Sequence, residues 1–247
     1  MKYIIVEGKG CHSSKYNIDT TSGCSTCLTK QPCTYCYGSY LNQRDFKIKT
    51  CDTKSLDRQW KKFNTDHRII RIGKFTDPGY ESTELLKLLN WMKINKIRPV
   101  IVTKQPHGNE DIYKLVTELN GVYQITLGYD DLEKGICANS FTNDYRIMIG
   151  EEYLNRGYNV KWRLVREATG QADTFTKEFI IKHKSNILLT PLRLKSKVLI
   201  QQLGGDINKY MFESNFYRPQ EIHKDYDNLA TCLSTTQKDY CSKCLLN

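Results

Sequence analysis

The chain has 247 residues, of which 39% are hydrophobic and 11% aromatic, so it can bury a full-sized core and is not a disordered protein. Its formal net charge of +10 favours an anionic partner such as nucleic acid or a phosphorylated substrate, although a generally basic surface gives the same balance. No stretch approaches the roughly 18 apolar residues that span a bilayer, and the apolar run within residues 1–7 is too short for a signal peptide. These two observations predict a cytoplasmic protein with reduced thiols and no membrane partner.

Short apolar strands and amphipathic helices alternate along the chain. In chain order, the pattern predicts strands at 2–6 and 16–21, a helix at 53–66, a strand at 68–72 and a helix at 82–95 that Ser82 caps. It then predicts strands at 98–103, 122–127, 159–165 and 186–190, which are followed by helices at 109–119, 142–155, 173–183 and 195–202. About six strand–helix units predict an α/β protein with a parallel sheet, as an open doubly wound sheet or, our choice, a partial (β/α)6 TIM-type barrel. Both place the chemistry at the carboxyl ends of the strands.

A cysteine cluster follows the first strand of this repeat. Four of the ten cysteines, Cys24, Cys27, Cys33 and Cys36, fall within thirteen residues. Thiolates this close ligate a metal or pair as disulfides, and a cytoplasmic compartment favours the metal. The two C-x2-C pairs suit tetrahedral zinc, but their five-residue gap is short for a zinc ribbon. Iron–sulfur clusters use the same ligands at short spacings, so the spacing alone leaves both metals open.

Together with the strand–helix repeat, Cys33-Thr34-Tyr35-Cys36 resembles the radical S-adenosylmethionine (SAM, AdoMet) superfamily. Members of that family usually carry C-x3-C-x2-C with an aromatic residue before the last cysteine. Tyr35 fills the aromatic place, and Cys33 and Cys36 fill the last two cysteine places. The first place belongs to Cys27 or Cys24, and we prefer Cys27 because it needs the smaller insertion. Through the order of strands and helices, the resemblance extends over roughly residues 14–200.

The resemblance implies a reaction and a set of cofactor contacts. Three thiolates would hold a [4Fe–4S] cluster with one open iron that AdoMet chelates, and an electron from a donor such as a flavodoxin or ferredoxin would cleave AdoMet. The products are methionine and a 5′-deoxyadenosyl radical, which removes hydrogen from a substrate. The positions matching AdoMet-contacting segments are Tyr35 near the adenine, Thr76 and Asp77 after the second strand, Lys104, Thr126, Arg163 and Arg166. Thr103-Lys104 looks like the Thr-Lys of the spore photoproduct lyase-like branch, whereas the family's usual Gly-Gly-Glu after the second strand is absent.

The C-terminal part changes in character. From about residue 212 the sequence is irregular and polar, which predicts a partial barrel over 1–210 and a cysteine-containing extension over 211–247. Cys232, Cys241 and Cys244 predict an auxiliary iron–sulfur cluster or a zinc site, with free thiols on a tail as the alternative. The candidates for a fourth ligand are Cys11, Cys24, Cys51, Cys137 and His223.

The sequence is consistent with two different functions. The first is a radical SAM enzyme whose substrate is a nucleic acid or nucleotide, with a peptide or protein substrate still open. The second is a zinc-stabilised nucleic-acid-binding protein, which the positive charge, the sixteen tyrosines and the two cysteine clusters favour. The strand–helix repeat favours the first, because small zinc modules do not need six such units.

Overall fold

The protein consists of short strands and helices that alternate along most of the chain. The structure, a computed structural model, describes residues 1–11, 14–22, 47–63, 68–74, 76–128, 142–166, 177–194, 196–202, 205–213, 216–221 and 229–231. Within these ranges the strands are β1 (Ile5–Cys11), β2 (Ser14–Ile18), β3 (Thr21–Ser22), β4 (Lys47–Ile48), β5 (Ile69–Ile72), β6 (Arg98–Thr103), β7 (Val122–Leu127), β8 (Val160–Arg166), β9 (Ile187–Pro191), β10 (Tyr210–Glu213), β11 (Phe216–Pro219) and β12 (Ala230–Thr231). The helices are α1 (Thr53–Trp60), α2 (Ser82–Ile94), α3 (Glu110–Glu118), α4 (Asn143–Asn155), α5 (Lys177–Lys182) and α6 (Lys197–Gln202).

An eight-stranded sheet carries the fold, in the order β1-β2-β5-β6-β7-β8-β9-β12. β1 pairs antiparallel with β2, whereas every other pairing in this sheet is parallel. Parallel neighbours need a crossover, and the helices α1 to α5 supply these connections. The predicted α/β class with a parallel sheet is therefore confirmed.

The start of α2 differs from the prediction. Glu81, not Ser82, caps this helix, because the Glu81 Oε1 accepts hydrogen bonds from the backbone N–H groups of Thr83 (2.7 Å) and Glu84 (3.3 Å). Ser82 is the first helical residue. A carboxylate in this place also interacts favourably with the positive end of the helix dipole. None of the helices in the described part of the chain has the length and apolar character needed to cross a bilayer.

The two faces of the sheet have different chemistry. On one face, apolar strand residues such as Ile72, Ile101 and Leu164 pack with helix residues such as Leu88 in one large core. The opposite face, which we call the inner face, carries a small apolar cluster of Val100 and Val122 with the partly buried Ile69 and Val102. Side chains alternate between faces along a strand, so the residues that share a face with this small cluster follow from the register. The polar ones are Lys15, Asn17, Arg71, Arg98, Gln124, Thr126, Lys161, Arg163 and Thr190.

A pair of short strands closes the segment that contains the first cysteine cluster. β3 and β4 pair antiparallel, with Thr21 opposite Ile48 and Ser22 opposite Lys47. The Lys49 N–H also donates to the Thr20 carbonyl at 2.9 Å. Both ends of segment 23–46 are thus fixed to each other just after the carboxyl end of β2, which is the edge of the sheet that the sequence predicts for the site.

The C-terminal region contains a hairpin and an additional sheet strand that the sequence pattern does not predict. β10 and β11 form an antiparallel hairpin, and β12 pairs in parallel with β9, with Ala230 opposite Leu188. Strands of two to four residues are too short to give a clear alternating pattern. Because β12 is parallel to β9, β12 ends at the carboxyl edge of the sheet, and Cys232 is the next residue in the sequence.

Gly79 is required by a close approach between two loops. A Cβ added at Gly79 would overlap the carbonyl oxygen and the Cβ of Gln105. We expect Gly79→Ala to destabilise the protein by about 3 kcal/mol, since overpacking against backbone has no flexible side chain to relieve it. The control is Gly108→Ala, where nothing lies within 4 Å of the added Cβ. Urea denaturation of both variants tests this, and equal stability of the two would show that the loops separate easily.

Candidate active site

The loops that follow β2, β5 and β6 meet at the carboxyl edge of the sheet. Asp19 lies one residue after β2, and its Oδ1 accepts hydrogen bonds from the backbone N–H groups of Lys74 (2.9 Å) and Thr76 (3.3 Å). The Thr76 hydroxyl also donates to Asp19 Oδ1, at 3.4 Å. Asp19 therefore fixes the segment after β5, and the Thr76 oxygen keeps its lone pairs for accepting a hydrogen bond.

Asp77 joins the segment after β5 to the end of β6. Its Oδ1 accepts from the Gly79 N–H (2.9 Å) and from the Thr103 hydroxyl, and its Oδ2 accepts from the Lys104 N–H at 2.7 Å. Both carboxylate oxygens are thus engaged by the protein's own donors. The structure gives Asp77 a positioning role: it holds the backbone of Lys104. The half-buried Lys104 side chain stays a predicted AdoMet contact, implied by the resemblance.

His107 makes a second connection between the same two loops. Its Nε2 lies 3.0 Å from the Pro78 carbonyl oxygen, its backbone N–H donates to the Tyr123 hydroxyl (3.2 Å), and its carbonyl accepts from the Tyr113 hydroxyl (3.0 Å). Burial lowers the pKa of His107 and raises the pKa of both tyrosines. The three side chains are therefore neutral at pH 7, and a neutral imidazole that donates to Pro78 holds the loop without a buried charge.

The depressed pKa of His107 predicts a loss of stability in mild acid. Above about pH 6.5, the ordinary pKa of histidine, both the folded and the unfolded states are neutral at this residue. As the pH falls below that value, His107 takes up a proton in the unfolded chain but stays neutral in the folded protein. The free energy of unfolding therefore falls by up to about 1.4 kcal/mol per pH unit until the pKa of folded His107 is reached. His107→Gln, which keeps a donor for Pro78, should lose less stability between pH 7 and pH 5.5 in urea titrations; parallel losses would contradict this role for His107.

Thr126 and Arg163 come together on the inner face. They are register partners on β7 and β8, and both are half-buried. The Arg163 guanidinium donates to the Thr190 hydroxyl from Nε (3.3 Å) and Nη2 (3.2 Å), so three strands contribute to this group. Arg166 differs, because it lies an odd number of residues from Arg163 and is fully buried. The structure therefore assigns Thr126 and Arg163, but not Arg166, to the inner face.

The remaining predicted site residues lie outside the described part of the chain. They are Cys24, Cys27, Cys33, Tyr35, Cys36, Cys232, Cys241 and Cys244. Their assignment as metal ligands, and that of Tyr35 as an adenine contact, stay predictions. So does the division of the chain at residue 210.

Sequence reasoning missed the polar residues of the inner face other than Thr126 and Arg163. Arg71 is the one charged residue in the apolar strand β5, and Lys161 stands two residues before Arg163 on β8. A spacing of two along a strand puts Lys161 on the same face as Arg163, and this signal was available from the sequence. The role of Asp19 was not, because its partners lie 55 and 57 residues away along the chain.

No protein-family model matches the chain, and no curated protein matches it in sequence. Two solved structures of spore photoproduct lyase do match in fold. One, a double mutant with bound AdoMet and dinucleoside spore photoproduct, has a TM-score of 0.58 and 15% identity over 88% of this chain and 72% of that chain. The other, complexed with dinucleoside spore photoproduct, has a TM-score of 0.56 and 12% identity over 90% of this chain and 72% of that chain. The chain therefore has the fold of spore photoproduct lyase, which confirms the predicted partial barrel.

Proposed function

We propose that the protein is a radical SAM enzyme that binds a [4Fe–4S] cluster and AdoMet at the carboxyl edge of its partial barrel. One observation carries the proposal: in a fold shared with an AdoMet-bound lyase, the segment with four cysteines is closed by β3 and β4 directly after β2. Three thiolates from this segment, with Cys33 and Cys36 among them, would hold the cluster. When bound, the cluster and AdoMet supply a 5′-deoxyadenosyl radical that removes a hydrogen atom from the substrate.

The described residues fit AdoMet chemically. Arg163 offers a cation to the methionine carboxylate, and the half-buried hydroxyls of Thr126 and Thr190 on the same face can hydrogen-bond a ribose. Lys104 and Thr76 stand on loops that Asp77 and Asp19 hold in place. Such fixed donors orient a cofactor at little entropic cost when it binds. The chain's own contribution is to bind, orient and shield the reacting groups.

The tail cysteines support an auxiliary metal site in the same enzyme. β12 ends at the carboxyl edge of the sheet, next to Cys232 in the chain. Cys232, Cys241 and Cys244 would then bind an iron–sulfur cluster or zinc with a fourth ligand, and Cys24 is free for that place if Cys27 serves the AdoMet cluster. A zinc-stabilised nucleic-acid-binding protein accounts for the cysteines and the charge, but not for the parallel sheet with its crossover helices.

The proposed function is tested by the cleavage of AdoMet. Full-length protein, purified without oxygen, reconstituted with iron and sulfide and reduced with dithionite or a reduced flavodoxin, should convert AdoMet to methionine and 5′-deoxyadenosine. Liquid chromatography with mass spectrometry measures both products. A protein that carries iron and sulfide yet forms no 5′-deoxyadenosine, with or without candidate substrates, would contradict the proposal.

Arg163 gives a specific prediction for AdoMet binding. Arg163→Gln should weaken AdoMet binding about tenfold or more, because a charge-assisted hydrogen bond to a carboxylate contributes about 1.5–3 kcal/mol. The iron content should not change. Arg156→Gln is the matched control, because Arg156 is an exposed arginine whose partners are Glu110 and Glu152 on the helices. Equilibrium dialysis with labelled AdoMet measures the effect, and equal affinities of the two variants would remove Arg163 from the AdoMet site.

A further inference from the structure

The segment that follows the first cysteine cluster carries much of the positive charge of the chain. Residues 47–63, which contain β4 and α1, hold six Lys and Arg against two Asp, a net charge of +4 out of the +10 of the whole chain. The six cations are Lys47, Lys49, Lys54, Arg58, Lys61 and Lys62. A local excess of one charge attracts partners of the opposite charge and speeds their association.

Three of these cations lie along one face of α1. Lys54, Arg58 and Lys61 follow each other at spacings of four and three residues, and all three side chains are exposed. Residues with these spacings are neighbours on a helix surface. Leu56 and Trp60 lie on the other side of the helix and are buried in the large core. We call Lys54, Arg58 and Lys61 the basic stripe.

The two carboxylates of this segment are engaged by other groups. Asp52 forms an ion pair with Lys2 at 2.6 Å and accepts a hydrogen bond from the Ser55 N–H at 3.0 Å. The Asp57 Oδ1 accepts a hydrogen bond from the Trp91 indole at 2.7 Å. The basic stripe forms no ion pair with any described residue. Its charge is therefore available to a partner.

Exposed cations on the later helices show a different arrangement, because carboxylates lie beside them. The ion pairs are Lys87 with Glu84, Lys93 with Glu118, Arg156 with Glu110, and Lys182 with Glu151. Pairs of this kind balance the charge of a solvated helix surface. The basic stripe lacks this balance.

The basic stripe begins close to the cysteine segment. β4 pairs with β3 and closes segment 23–46, and α1 starts five residues after the end of β4. The N-terminus adjoins the same surface, because the Thr50 N–H donates to the Met1 carbonyl at 2.8 Å and Lys2 forms a bridge with Thr50. Two aliphatic side chains are exposed here, Met1 (66%) and Ile48 (41%). A protein interface combines apolar contacts of this kind with charges around them.

The chemistry of this surface favours a protein partner over nucleic acid. Single-stranded nucleic acids bind to exposed aromatic side chains on which the bases stack. The aromatic residues of this segment, Trp60 and Phe63, instead pack against the core. The proposed reaction also needs one electron from outside the chain. Complexes that transfer electrons are small and transient, and complementary charge brings the two proteins together.

We propose that the basic stripe, together with Lys47, forms the docking surface for an acidic electron-carrier protein. The inference rests on the proposed function, since it names the partner that supplies the electron to the same site. One electron leaves the carrier, which is oxidised, and reaches AdoMet by way of the bound cluster. The S–C5′ bond of AdoMet then breaks to give methionine and the 5′-deoxyadenosyl radical. No atom or proton crosses the interface, so the chain contributes only charge and orientation there.

Binding of an oxidised flavodoxin to the full-length protein measures docking without any reaction. A triple variant with Lys54→Gln, Arg58→Gln and Lys61→Gln should bind flavodoxin about tenfold or more weakly in isothermal titration calorimetry. Binding to the unaltered protein should weaken between about 50 mM and about 300 mM salt. A control with Lys87→Gln, Lys93→Gln and Arg156→Gln removes the same number of charges from other helices and should bind normally. Equal affinities of the two triple variants would overturn the proposal.

Two reductants separate docking from the chemistry of the AdoMet site. Formation of 5′-deoxyadenosine with limiting reduced flavodoxin should fall about tenfold or more in the stripe variant. Dithionite is a small reductant that needs no docking surface, so the rate with dithionite should not change. The iron content and the midpoint of urea denaturation should not change either, because glutamine, lysine and arginine have similar helix propensities. Equal losses with both reductants would overturn the proposal.

A single-stranded oligonucleotide of about ten nucleotides tests the alternative partner. The proposal is overturned if this strand binds the unaltered protein more tightly than flavodoxin does and loses its affinity in the stripe variant. The same samples distinguish this inference from the proposed function. Cofactor-loaded protein that does not cleave AdoMet with dithionite contradicts the proposed function, whatever flavodoxin binds. Cleavage with dithionite in a protein that does not bind flavodoxin supports the proposed function and overturns the docking surface.

Discussion

Replacing Cys33 or Cys36 with alanine should abolish AdoMet cleavage, with a loss of about a thousandfold or more in 5′-deoxyadenosine formation. A cluster held by three thiolates does not survive the loss of one, and without the cluster no electron reaches AdoMet. Iron content should fall by about four per chain in each variant. Chromatographic quantification of 5′-deoxyadenosine, together with iron analysis, measures both effects on protein reconstituted without oxygen.

Cys51, which precedes the N-cap residue Asp52 of α1, provides the control. Burial, followed by the nearby Glu84 carboxylate, raises the pKa of Cys51 to about 11, so this residue is a thiol at pH 7 and a poor metal ligand. Cys51→Ala should keep both iron and activity. The same experiment on Cys24→Ala and Cys27→Ala decides which of them completes the cluster: the ligand variant behaves like Cys33→Ala, and the other retains cleavage. Full AdoMet cleavage activity in Cys33→Ala or Cys36→Ala would contradict the proposed set of cluster ligands.

Asp77→Ala should destabilise the protein by about 3 kcal/mol and also weaken AdoMet binding. The substitution removes three acceptor contacts at once and leaves the backbone N–H groups of Gly79 and Lys104 without their partner. Hydrogen bonds to a charged group contribute about 1.5–3 kcal/mol each, and their losses at one residue are not additive. Since Asp77 positions Lys104, its loss also frees a residue assigned to the cofactor.

Asp111→Ala is the matched control for this experiment. Asp111 is an exposed carboxylate in the first turn of α3, so its loss should cost less than about 1 kcal/mol. Asp77→Asn should fall between the two, because the amide oxygen can still accept from Gly79. Urea denaturation gives the stabilities, and equilibrium dialysis gives the AdoMet affinities. If Asp77→Ala were as stable as Asp111→Ala, the connection between the two loops would be unimportant.

The alternation of strands and helices was predictable because each element leaves a local pattern. The apolar strands β5 to β9 and the helices between them follow periods of two and 3.6 residues, and these periods predict which side chains share a face. The resemblance supplied Thr126, Arg163 and Arg166 as candidates, and the alternation along the strands separates Arg166 from the other two. The same rule, applied to Arg71 and Lys161, would have predicted the charged inner face.

Contacts between distant segments were not predictable from one sequence. Asp77 matched an AdoMet-contacting segment, but its hydrogen bonds to Thr103 and Lys104 span 26 and 27 residues and depend on the pairing of β5 with β6. The cap of α2 illustrates the same limit at short range, since Ser82 has the better capping preference and Glu81 has the better geometry. The capping preference of a residue type is therefore a weak predictor of the N-cap where the geometry of the preceding loop determines which side chain reaches the helix N-terminus.

Electron paramagnetic resonance of the reduced protein shows whether the chain binds a [4Fe–4S] cluster that AdoMet can reach. The measurement uses full-length protein purified and reconstituted without oxygen, reduced with dithionite, and recorded with and without AdoMet. We expect a [4Fe–4S] signal that changes when AdoMet is added, because three cysteine thiolates would leave one iron of the cluster open to AdoMet. A protein that contains only zinc, or a cluster signal that AdoMet leaves unchanged, would contradict it.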